Sequence, residues 1–282
     1  SEMCIRDSYM DEVERVLYNN VLTGVSLSGD KYTYQNPLNT DKPDRWEWHV
    51  CPCCPPMFLK IMAAMPGYIY AYQGDNVYVN LFIGSEVRVP VGKSNSVRLK
   101  QLTSYPWHGA VSIQVNPDKA STFSMKVRIP GWAQGTENPY DLYQSNLKAP
   151  VKLKVNQEDV LLRIVDGYAE INREWKKGDH IELELPMQPR LITANKAVEN
   201  LRGQVALASG PIIYCFEDAD NPELQTFKLQ AQTPLELSHD SNLLNGVNII
   251  KCQGDIPAKA IPYYAVANRE ESHSYKVWIP QK

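Results

Sequence analysis

The sequence lacks a long hydrophobic run, a strong excess of charge of either sign, and any internal repeat. No apolar stretch approaches the roughly 18 residues that a membrane-spanning helix needs. The 29 Lys and Arg residues nearly balance the 32 Asp and Glu residues and leave a net charge of −3. Such a charge creates no field that favours nucleic acid or an anionic membrane surface. We therefore expect a globular protein that binds neither nucleic acid nor a membrane.

An evenly spaced set of cysteines is also missing, because three of the six cysteines lie within four positions. Cys51, Cys53 and Cys54 belong to the run Trp46-Glu47-Trp48-His49-Val50-Cys51-Pro52-Cys53-Cys54-Pro55-Pro56. This clustering does not match the paired framework of small secreted domains. Three thiols this close can form a disulfide, bind a soft metal, or present an activated nucleophile. The function depends on which of the three applies.

The first eight residues have the character of a cloning or sequencing scar. Met3-Cys4-Ile5-Arg6-Asp7-Ser8 resembles the translation of a transposase-type sequencing adapter. We therefore expect residues 1–8 to lie outside the natural protein and its upstream part to be missing. A genuine flexible N-terminus is the alternative. On the first interpretation Cys4 has no biological role, and an odd number of cysteines remains.

Helical spacing dominates before residue 72. Residues 11–22 predict a helix with one apolar face, and Gly24 follows it as a stop signal. That face consists of Val13, Val16, Leu17 and Val21. A second helix is predicted after Pro55-Pro56, since proline is tolerated in a first turn. Its apolar positions are Phe58, Ile61, Met62 and Met65, and Pro66-Gly67 ends it.

Alternating apolar residues dominate after residue 72 and predict β-strands. The alternation is clearest in residues 77–83, 111–115, 123–129 and 181–185. Short strands with Gly and Pro between them are typical of β-sandwiches. An acidic, turn-rich stretch follows Cys215 and predicts one more boundary. The expected organisation is a helical segment in residues 9–72, a first β-domain in 73–216 and a second in 217–282.

Several motifs, in order along the chain, resemble glycoside hydrolase family 127, the β-L-arabinofuranosidase group. The most specific is Cys51-Pro52-Cys53-Cys54-Pro55-Pro56. The others are Glu14-Arg15-Val16-Leu17-Tyr18-Asn19, Tyr34-Gln35-Asn36-Pro37-Leu38, Gly67-Tyr68-Ile69-Tyr70, Ser104-Tyr105-Pro106-Trp107, Arg128-Ile129-Pro130-Gly131-Trp132, Gly210-Pro211-Ile212-Ile213-Tyr214-Cys215 and Ile261-Pro262-Tyr263-Tyr264. The resemblance implies an α+β multidomain chain: the last helices of an (α/α)₆ barrel followed by two β-sandwich domains.

The resemblance also implies a chemistry. Family members hydrolyse a β-L-arabinofuranoside with retention, using a cysteine nucleophile held on zinc. By motif position Cys53 matches the nucleophile and a zinc ligand, and Cys54 matches the neighbouring zinc ligand. Glu14 and Tyr34 match residues that line the sugar pocket. The acid/base glutamate and the other ligands are expected upstream of this chain, which alone should be inactive.

The expected partner is an arabinofuranosyl glycan or glycoprotein of plant origin, and the resemblance is compatible with a homodimer. The competing hypothesis is a non-catalytic β-sandwich module that binds carbohydrate or another domain. In that case the cysteines form a structural zinc knot or are inert buried thiols.

Each remaining candidate also has a simpler interpretation. Cys51 is a substitute ligand or a packing thiol, and His49 is a ligand or a hydrogen-bonded histidine beside two tryptophans. A glutamate on a helix, such as Glu14, is by default solvated or paired, and Tyr34 is either a sugar contact or a packing aromatic. We interpret the isolated Cys215 and Cys252 as buried thiols. Trp107, Trp132, Trp175 and Trp278 form either a sugar platform or, as we prefer, core packing.

Overall fold

The computed structural model describes residues 7–51, 53–138 and 141–282, and it is mostly β-sheet with few helices. The α-helices are Asp7–Arg15, Cys54–Ala64 and Pro66–Ile69, with a π-helical segment at Val16–Val21 and 3₁₀ turns at Gly131–Gln134, Glu199–Leu201 and Tyr263–Ala265. None of the helices in the described residues is long and apolar enough to cross a membrane. Most of the adapter-like stretch predicted at residues 1–8 lies outside the described residues.

The chain forms two compact units. The sandwich unit comprises Ala63–Gln134, Lys148–Met187 and the start of the chain up to Val13. It contains two sheets. In spatial order, the strands of the six-stranded sheet are Glu158–Asp159, Lys152–Val155, Asp179–Glu184, Ala110–Pro117, Asn95–Thr103 and Ser85–Val91; those of the five-stranded sheet are Ile164–Val165, Tyr168–Trp175, Ser121–Arg128, Asn76–Val79 and Tyr70–Gln73.

The strands of the sandwich unit form where apolar and polar residues alternate. Along Ala110–Pro117 the residues Val111, Ile113 and Val115 are buried, and the residues between them are more accessible. Alternation of this kind turns one face of each strand toward a core. Three of the predicted strand regions, 111–115, 123–129 and 181–185, coincide with observed strands to within two residues at each end. The β-strand character predicted for this part of the chain is therefore confirmed, and its two sheets are consistent with a β-sandwich.

The second unit, here called the C-terminal unit, comprises Glu14–Met62, Gly135–Leu147 and Gln188–Lys282. The central path of its large sheet runs Tyr143–Ser145, Arg190–Ala194, Gln204–Ser209, Ile212–Glu217, Ala258–Pro262, Val247–Cys252 and Leu235–Asp240. Asn39–Thr40, Tyr275–Lys276 and Ile279–Pro280 join the same sheet at its side. A separate two-stranded ladder joins Lys31–Tyr32 to Trp46–Glu47.

The segment that precedes the cysteine run is attached to this sheet by polar contacts. Asn39 donates from Nδ2 to the Trp278 carbonyl at 2.9 Å and accepts at Oδ1 from the amides of Val277 and Trp278 at 3.0 Å. The Pro37 carbonyl accepts hydrogen bonds from the hydroxyl of Tyr263 at 2.9 Å and from that of Tyr275 at 2.8 Å. Residues far apart in sequence thus fix the chain leading into the cysteine run.

The first predicted helix exists, but its buried face differs from the expectation. The segment Val16–Val21 is π-helical, and the amide of Leu22 bonds back to the Leu17 carbonyl five residues earlier. The wider π turn rotates the following side chains relative to an α-helix. Leu17, Tyr18 and Asn19 are buried, whereas Val16 is 46% exposed. The placement of Val16 on the buried face was wrong for this reason; the predicted stop is found, since the helix ends immediately before Gly24.

The boundary expected between residues 216 and 217 falls inside one sheet. Strand Ile212–Glu217 pairs with both Ala258–Pro262 and Tyr275–Lys276. The strands before it, from Arg190 onward, belong to the same sheet. A domain boundary cannot cut a continuous ladder without exposing its hydrogen bonds. We therefore propose that the division between the two β-domains lies near residue 188 instead.

Candidate metal and nucleophile site

Among the described residues, the thiols of Cys51, Cys53 and Cys54 form the one group of three or more ligand side chains close enough to hold a metal ion. The Sγ atoms of Cys51 and Cys53 are 3.2 Å apart, and those of Cys53 and Cys54 are 3.6 Å apart. All three lie within 4.8 Å of one another. Cys53 is exposed, and its two neighbours are partly buried. We call these three residues the thiol cluster.

The spacing of the thiol cluster fits a soft metal ion. Two sulfurs on one tetrahedral zinc lie about 3.8 Å apart, because each Zn–S bond is about 2.3 Å long. The observed separations differ from this value by amounts that small side-chain rotations correct. Three thiols are also the ligand type that zinc accepts readily. The residues present therefore fit a zinc-like ion.

The thiol cluster lies at the beginning of a helix. Cys54 is the first residue of the helix Cys54–Ala64, and Pro55 and Pro56 occupy its first turn. The missing proline amides cost nothing there, since first-turn amides have no partner within the helix. Unpaired amides at a helix start create a positive potential that stabilises a thiolate. The helix start therefore contributes some stabilisation of a thiolate, reduced by the two prolines because they carry no amide hydrogen.

Tyr32 is hydrogen-bonded to the backbone of the thiol cluster. Its side chain is 2% exposed, and its hydroxyl donates to the Cys51 carbonyl at 3.0 Å. Its ring packs edge-on against Trp46, with ring centres 6.2 Å apart, and also contacts Trp48. Burial raises the pKa of Tyr32, so the hydroxyl remains a donor at neutral pH. A buried phenol therefore fixes the position of the backbone at Cys51.

Arg45 holds the other end of the loop. Its guanidinium donates to three carbonyls: Nε to Ala267 at 3.1 Å, Nη1 to Thr23 at 3.0 Å and Nη2 to Val266 at 2.8 Å. Burial lowers the pKa of Arg45 to about 10, which leaves the group charged at neutral pH. The turn at Val266 and Ala267, which Arg45 binds, is also bonded to the sheet, because the Ala267 amide donates to Glu217 Oε1 at 2.7 Å. Arg45 thereby ties the loop to the C-terminal sheet.

Hydrogen bonding within the thiol cluster separates the acidities of its members. The Cys53 thiol and amide hydrogen-bond to Cys51 and lower the pKa of the Cys51 thiol. The contacts with Cys51 and Cys54 raise the pKa of Cys53 to about 11. Without a bound cation, Cys53 therefore keeps its proton at neutral pH. A thiolate at Cys53 requires additional positive charge next to the sulfur.

The other predicted site residues lie outside the thiol cluster. Glu14 is 1% exposed, so the solvated interpretation of this carboxylate was wrong. Tyr34 is 49% exposed and stacks on Trp46, with ring centres 4.7 Å apart and planes 5° apart. His49 is exposed and is not part of the metal-holding group. Tyr34 is exposed and Trp46 is partly buried, so the free face of the Tyr34 ring is a flat apolar surface that a sugar ring can contact.

The isolated cysteines and most of the tryptophans belong to the core, as the sequence indicated. Cys215 and Cys252 are 0% and 1% exposed, and burial raises the pKa of Cys252 to about 12. Trp132, Trp175 and Trp278 are buried as well. Sugar stacking on these three rings is excluded by their burial.

Sequence reasoning missed Tyr32 and Arg45. Their partners are backbone carbonyls, which every residue carries, so no residue type marks the contact in advance. Two of the three acceptors of Arg45 lie more than 220 positions away along the chain. An arginine directly before an aromatic run was the one available sequence signal.

Three family models match successive parts of the chain. Residues 4–67 match the β-L-arabinofuranosidase GH127 catalytic domain, residues 76–187 the GH127 middle domain, and residues 189–280 the glycoside hydrolase family 127 C-terminal domain. The chain belongs to glycoside hydrolase family 127. The middle and C-terminal matches meet at residues 187–189, where the structure divides its two β-rich units.

Relatives within family 127 are known as sequences and as structures. The chain is 29% identical to a non-reducing end β-L-arabinofuranosidase of Bifidobacterium longum, over 94% of this chain and 44% of that protein. It matches a GH127 β-arabinofuranosidase structure with a TM-score of 0.90 at 34% identity, covering 98% of this chain and 46% of the other. A GH127 β-L-arabinofuranosidase from Geobacillus stearothermophilus T6 gives 0.88 and 33%, covering 99% and 47%. The chain thus spans less than half the length of these relatives.

Proposed function

We propose that this chain is part of a zinc-dependent retaining glycoside hydrolase that releases L-arabinofuranose from β-L-arabinofuranosides, with Cys53 as its nucleophile. The observation that carries the proposal is the thiol cluster at a helix start, in a chain of family 127. The relatives named above act on β-arabinofuranosides, which supports the substrate class. The helices before residue 70 would then complete an (α/α)₆ barrel together with further helices.

In this proposal Cys53 and Cys54 hold the metal. A bound zinc ion supplies the positive charge that turns the Cys53 thiol into a thiolate. The helix start contributes to the same potential. Tyr32 and Arg45 fix the backbone, so that the Cys53 sulfur points the same way in every molecule.

The reaction proceeds by two displacements. The Cys53 sulfur attacks the anomeric carbon, an S–C bond forms, and the glycosidic C–O bond breaks. The departing oxygen takes a proton from a general acid, which we assign to no residue of this chain. Water then attacks the same carbon, the C–S bond breaks, and the acid/base group accepts the water proton. Two inversions give net retention.

The proposed sugar contacts are Glu14 and Tyr34. The ring of Tyr34 lies parallel to that of Trp46, and this surface suits the apolar face of a furanose. A carboxylate such as that of Glu14 accepts hydrogen bonds from sugar hydroxyls, but because Glu14 is 1% exposed it can do so only where the groups that cover it move aside. The proposed substrates are arabinofuranosyl glycans or glycoproteins of plant origin, and a homodimer is the proposed assembly.

Serine substitutions at adjacent positions test the role of each sulfur. They are best made in a protein of the relatives' length that includes this chain, with an aryl β-L-arabinofuranoside as substrate. Cys53→Ser should abolish turnover, because a hydroxyl is far less acidic than a thiol and binds zinc poorly. Cys54→Ser should lose metal and activity, and excess zinc should restore part of that activity. Zinc rescue of Cys53→Ser, or full activity in that variant, contradicts the proposal.

Metal content separates this proposal from a self-contained zinc knot in a binding module. Cys53 and Cys54 leave a tetrahedral ion two ligands short, or one short if a neighbouring side chain assists. We expect this chain alone to bind zinc weakly and to hydrolyse no aryl arabinofuranoside. Elemental analysis that finds one tightly bound zinc per chain in this chain alone, lost in Cys53→Ser, supports the self-contained zinc knot of a binding module instead. Cys215→Ala is the control that should leave zinc unaffected.

A further inference from the structure

Cys51 has no task in the proposed hydrolysis, although its sulfur is the nearest thiol to Cys53. The two Sγ atoms are 3.2 Å apart, closer than the 3.6 Å between Cys53 and Cys54. We propose that Cys51 and Cys53 form a reversible disulfide under oxidation, which makes Cys53 a modification site and Cys51 its partner.

Backbone geometry selects this pair over the adjacent one. Neighbouring Cα atoms are about 3.8 Å apart across a trans peptide. A relaxed disulfide needs roughly 4.4–6.8 Å between the Cα atoms. Cys53 and Cys54 are adjacent, so a bond between them strains the peptide link. Cys51 and Cys53 are two residues apart and their Cα atoms can be at most about 6.6–7.2 Å apart, so a chain short of full extension meets the requirement.

Access of the oxidant selects the thiol cluster over the other cysteines. Cys53 is exposed, whereas Cys215 and Cys252 are at most 1% exposed. Oxidation of a thiol requires contact with the oxidant, and buried cysteines are inert. The disulfide should therefore form in the loop and leave both core cysteines reduced.

With hydrogen peroxide as oxidant the reaction balances. One sulfur of the pair attacks the peroxide, an S–O bond forms, the O–O bond breaks, and water leaves. The second sulfur attacks the resulting sulfenic acid, an S–S bond forms, and the S–O bond breaks. The oxygen leaves as water with the proton of the second thiol. Two thiols and one peroxide give one disulfide and two waters.

The disulfide would inactivate the Cys53 sulfur reversibly and protect it from further oxidation. It occupies the Cys53 sulfur, so that sulfur is neither a nucleophile nor a metal ligand while the bond persists. It also stops oxidation before the sulfinic acid, which thiols do not reverse. Reduction by a dithiol restores both side chains. The disulfide itself requires only the two thiols and does not depend on the proposed hydrolysis.

Mass mapping of the metal-free chain tests the proposal. The chain is treated with hydrogen peroxide, blocked with N-ethylmaleimide and digested with trypsin, which releases residues 46–60 with all three cysteines in one peptide. We expect one maleimide on this peptide, on Cys54, and a mass two hydrogens below that of the reduced peptide carrying one maleimide. Reduction before blocking should give three maleimides. A maleimide on Cys51, a bond between chains, or sulfinic acid without a disulfide overturns the proposal.

Two matched variants complete the test. Cys54→Ser should form the disulfide as the parent chain does and carry no maleimide after oxidation. Cys51→Ser should give at least about tenfold less disulfide and accumulate sulfinic acid on Cys53. Equal disulfide in Cys51→Ser means that Cys53 pairs with Cys54, and this contradicts the proposal. Because no readout depends on turnover, failure here leaves the nucleophile proposal standing, and the reverse also holds.

Discussion

The same residue type occurs in two contrasting regions of the C-terminal unit. In the loop before the helix Cys54–Ala64, three thiols face one another near solvent. In the large sheet, Cys215 and Cys252 lie in paired strands and are almost completely buried. The sheet cysteines behave as small apolar side chains. The loop cysteines have the access and the neighbours that sulfur chemistry needs.

The two regions also differ in the interactions that stabilise them. The sheet is held by a continuous ladder of backbone hydrogen bonds and by buried ion pairs such as Arg190 with Glu137. The loop depends on single side chains, Tyr32 and Arg45, which bind backbone carbonyls. Functional groups on a loop are accessible to ligands and solvent, and contacts with a rigid neighbouring element fix their position.

The largest expected difference between the two regions is in the rate of thiol alkylation. In the folded chain, iodoacetamide should alkylate the thiols of the cluster at least about 1000-fold faster than those of Cys215 and Cys252. The buried cysteines react only when the sheet opens, which costs several kcal/mol. Timed alkylation with peptide mass analysis measures the ratio. Similar rates in the thiol cluster and in Cys215 and Cys252 would show that the sheet region is not closed, whereas in urea the rates should converge.

A second test breaks the buried ion pair of the sheet. Arg190 contacts Glu137 through Nε to Oε1 at 2.6 Å and Nη2 to Oε2 at 3.0 Å, and both side chains are buried. Glu137→Gln keeps the shape but leaves a buried guanidinium without its counter-charge. We expect a loss of about 3–5 kcal/mol of unfolding free energy in urea. Glu199→Gln, which breaks an exposed pair with Arg202, is the control and should cost at most about 1 kcal/mol.

The same pair predicts a pH dependence. Burial alone raises the pKa of Glu137, but the hydrogen bonds and charge of Arg190 outweigh it, and the pKa falls below the ordinary 4.5. A carboxyl group with a lowered folded-state pKa stabilises the fold above its unfolded pKa, and this contribution is lost as the pH falls through the folded-state value. The stability gap between the parent chain and Glu137→Gln should therefore shrink below about pH 4.5. A gap that widens in acid would contradict this assignment.

The third test loosens the loop. Arg45→Met removes all three carbonyl contacts and leaves those carbonyls without this donor, which should cost about 2–3 kcal/mol. Arg45→Lys retains the charge but donates from a single nitrogen, so it should recover part of the stability. Urea unfolding measures both. Equal stability of the parent and Arg45→Met would show that the arginine does not anchor the loop.

The smallest expected effect compares one serine substitution in each region. Cys215→Ser places a hydroxyl in an apolar site and should cost about 1–2 kcal/mol. Cys51→Ser lies in the accessible loop and should change stability by less than about 0.5 kcal/mol. Thermal or urea unfolding of the metal-free chain measures both. A larger loss at Cys51 would indicate that the loop thiols support the fold.

Sequence patterns predicted the parts of this molecule that local rules determine. Strand Ser121–Arg128 and the helix after the cysteines follow from alternation and from proline placement. The thiol cluster was visible because its members are adjacent in sequence. The π-helical segment Val16–Val21 was missed because it breaks the helical period. The hydrogen bonds of Arg45 were missed because its acceptors are backbone carbonyls far away in sequence, and such a tertiary contact has no local signal.

The central claim is that the Cys53 sulfur is the nucleophile, and covalent trapping tests it most directly. A protein of the relatives' length that includes this chain is incubated with a mechanism-based β-L-arabinofuranosyl inhibitor, digested and mapped by mass spectrometry. The account predicts one sugar-derived label on the Cys53 sulfur, absent from Cys53→Ser. A label on Cys54, on Glu14 or on no cysteine at all would contradict it.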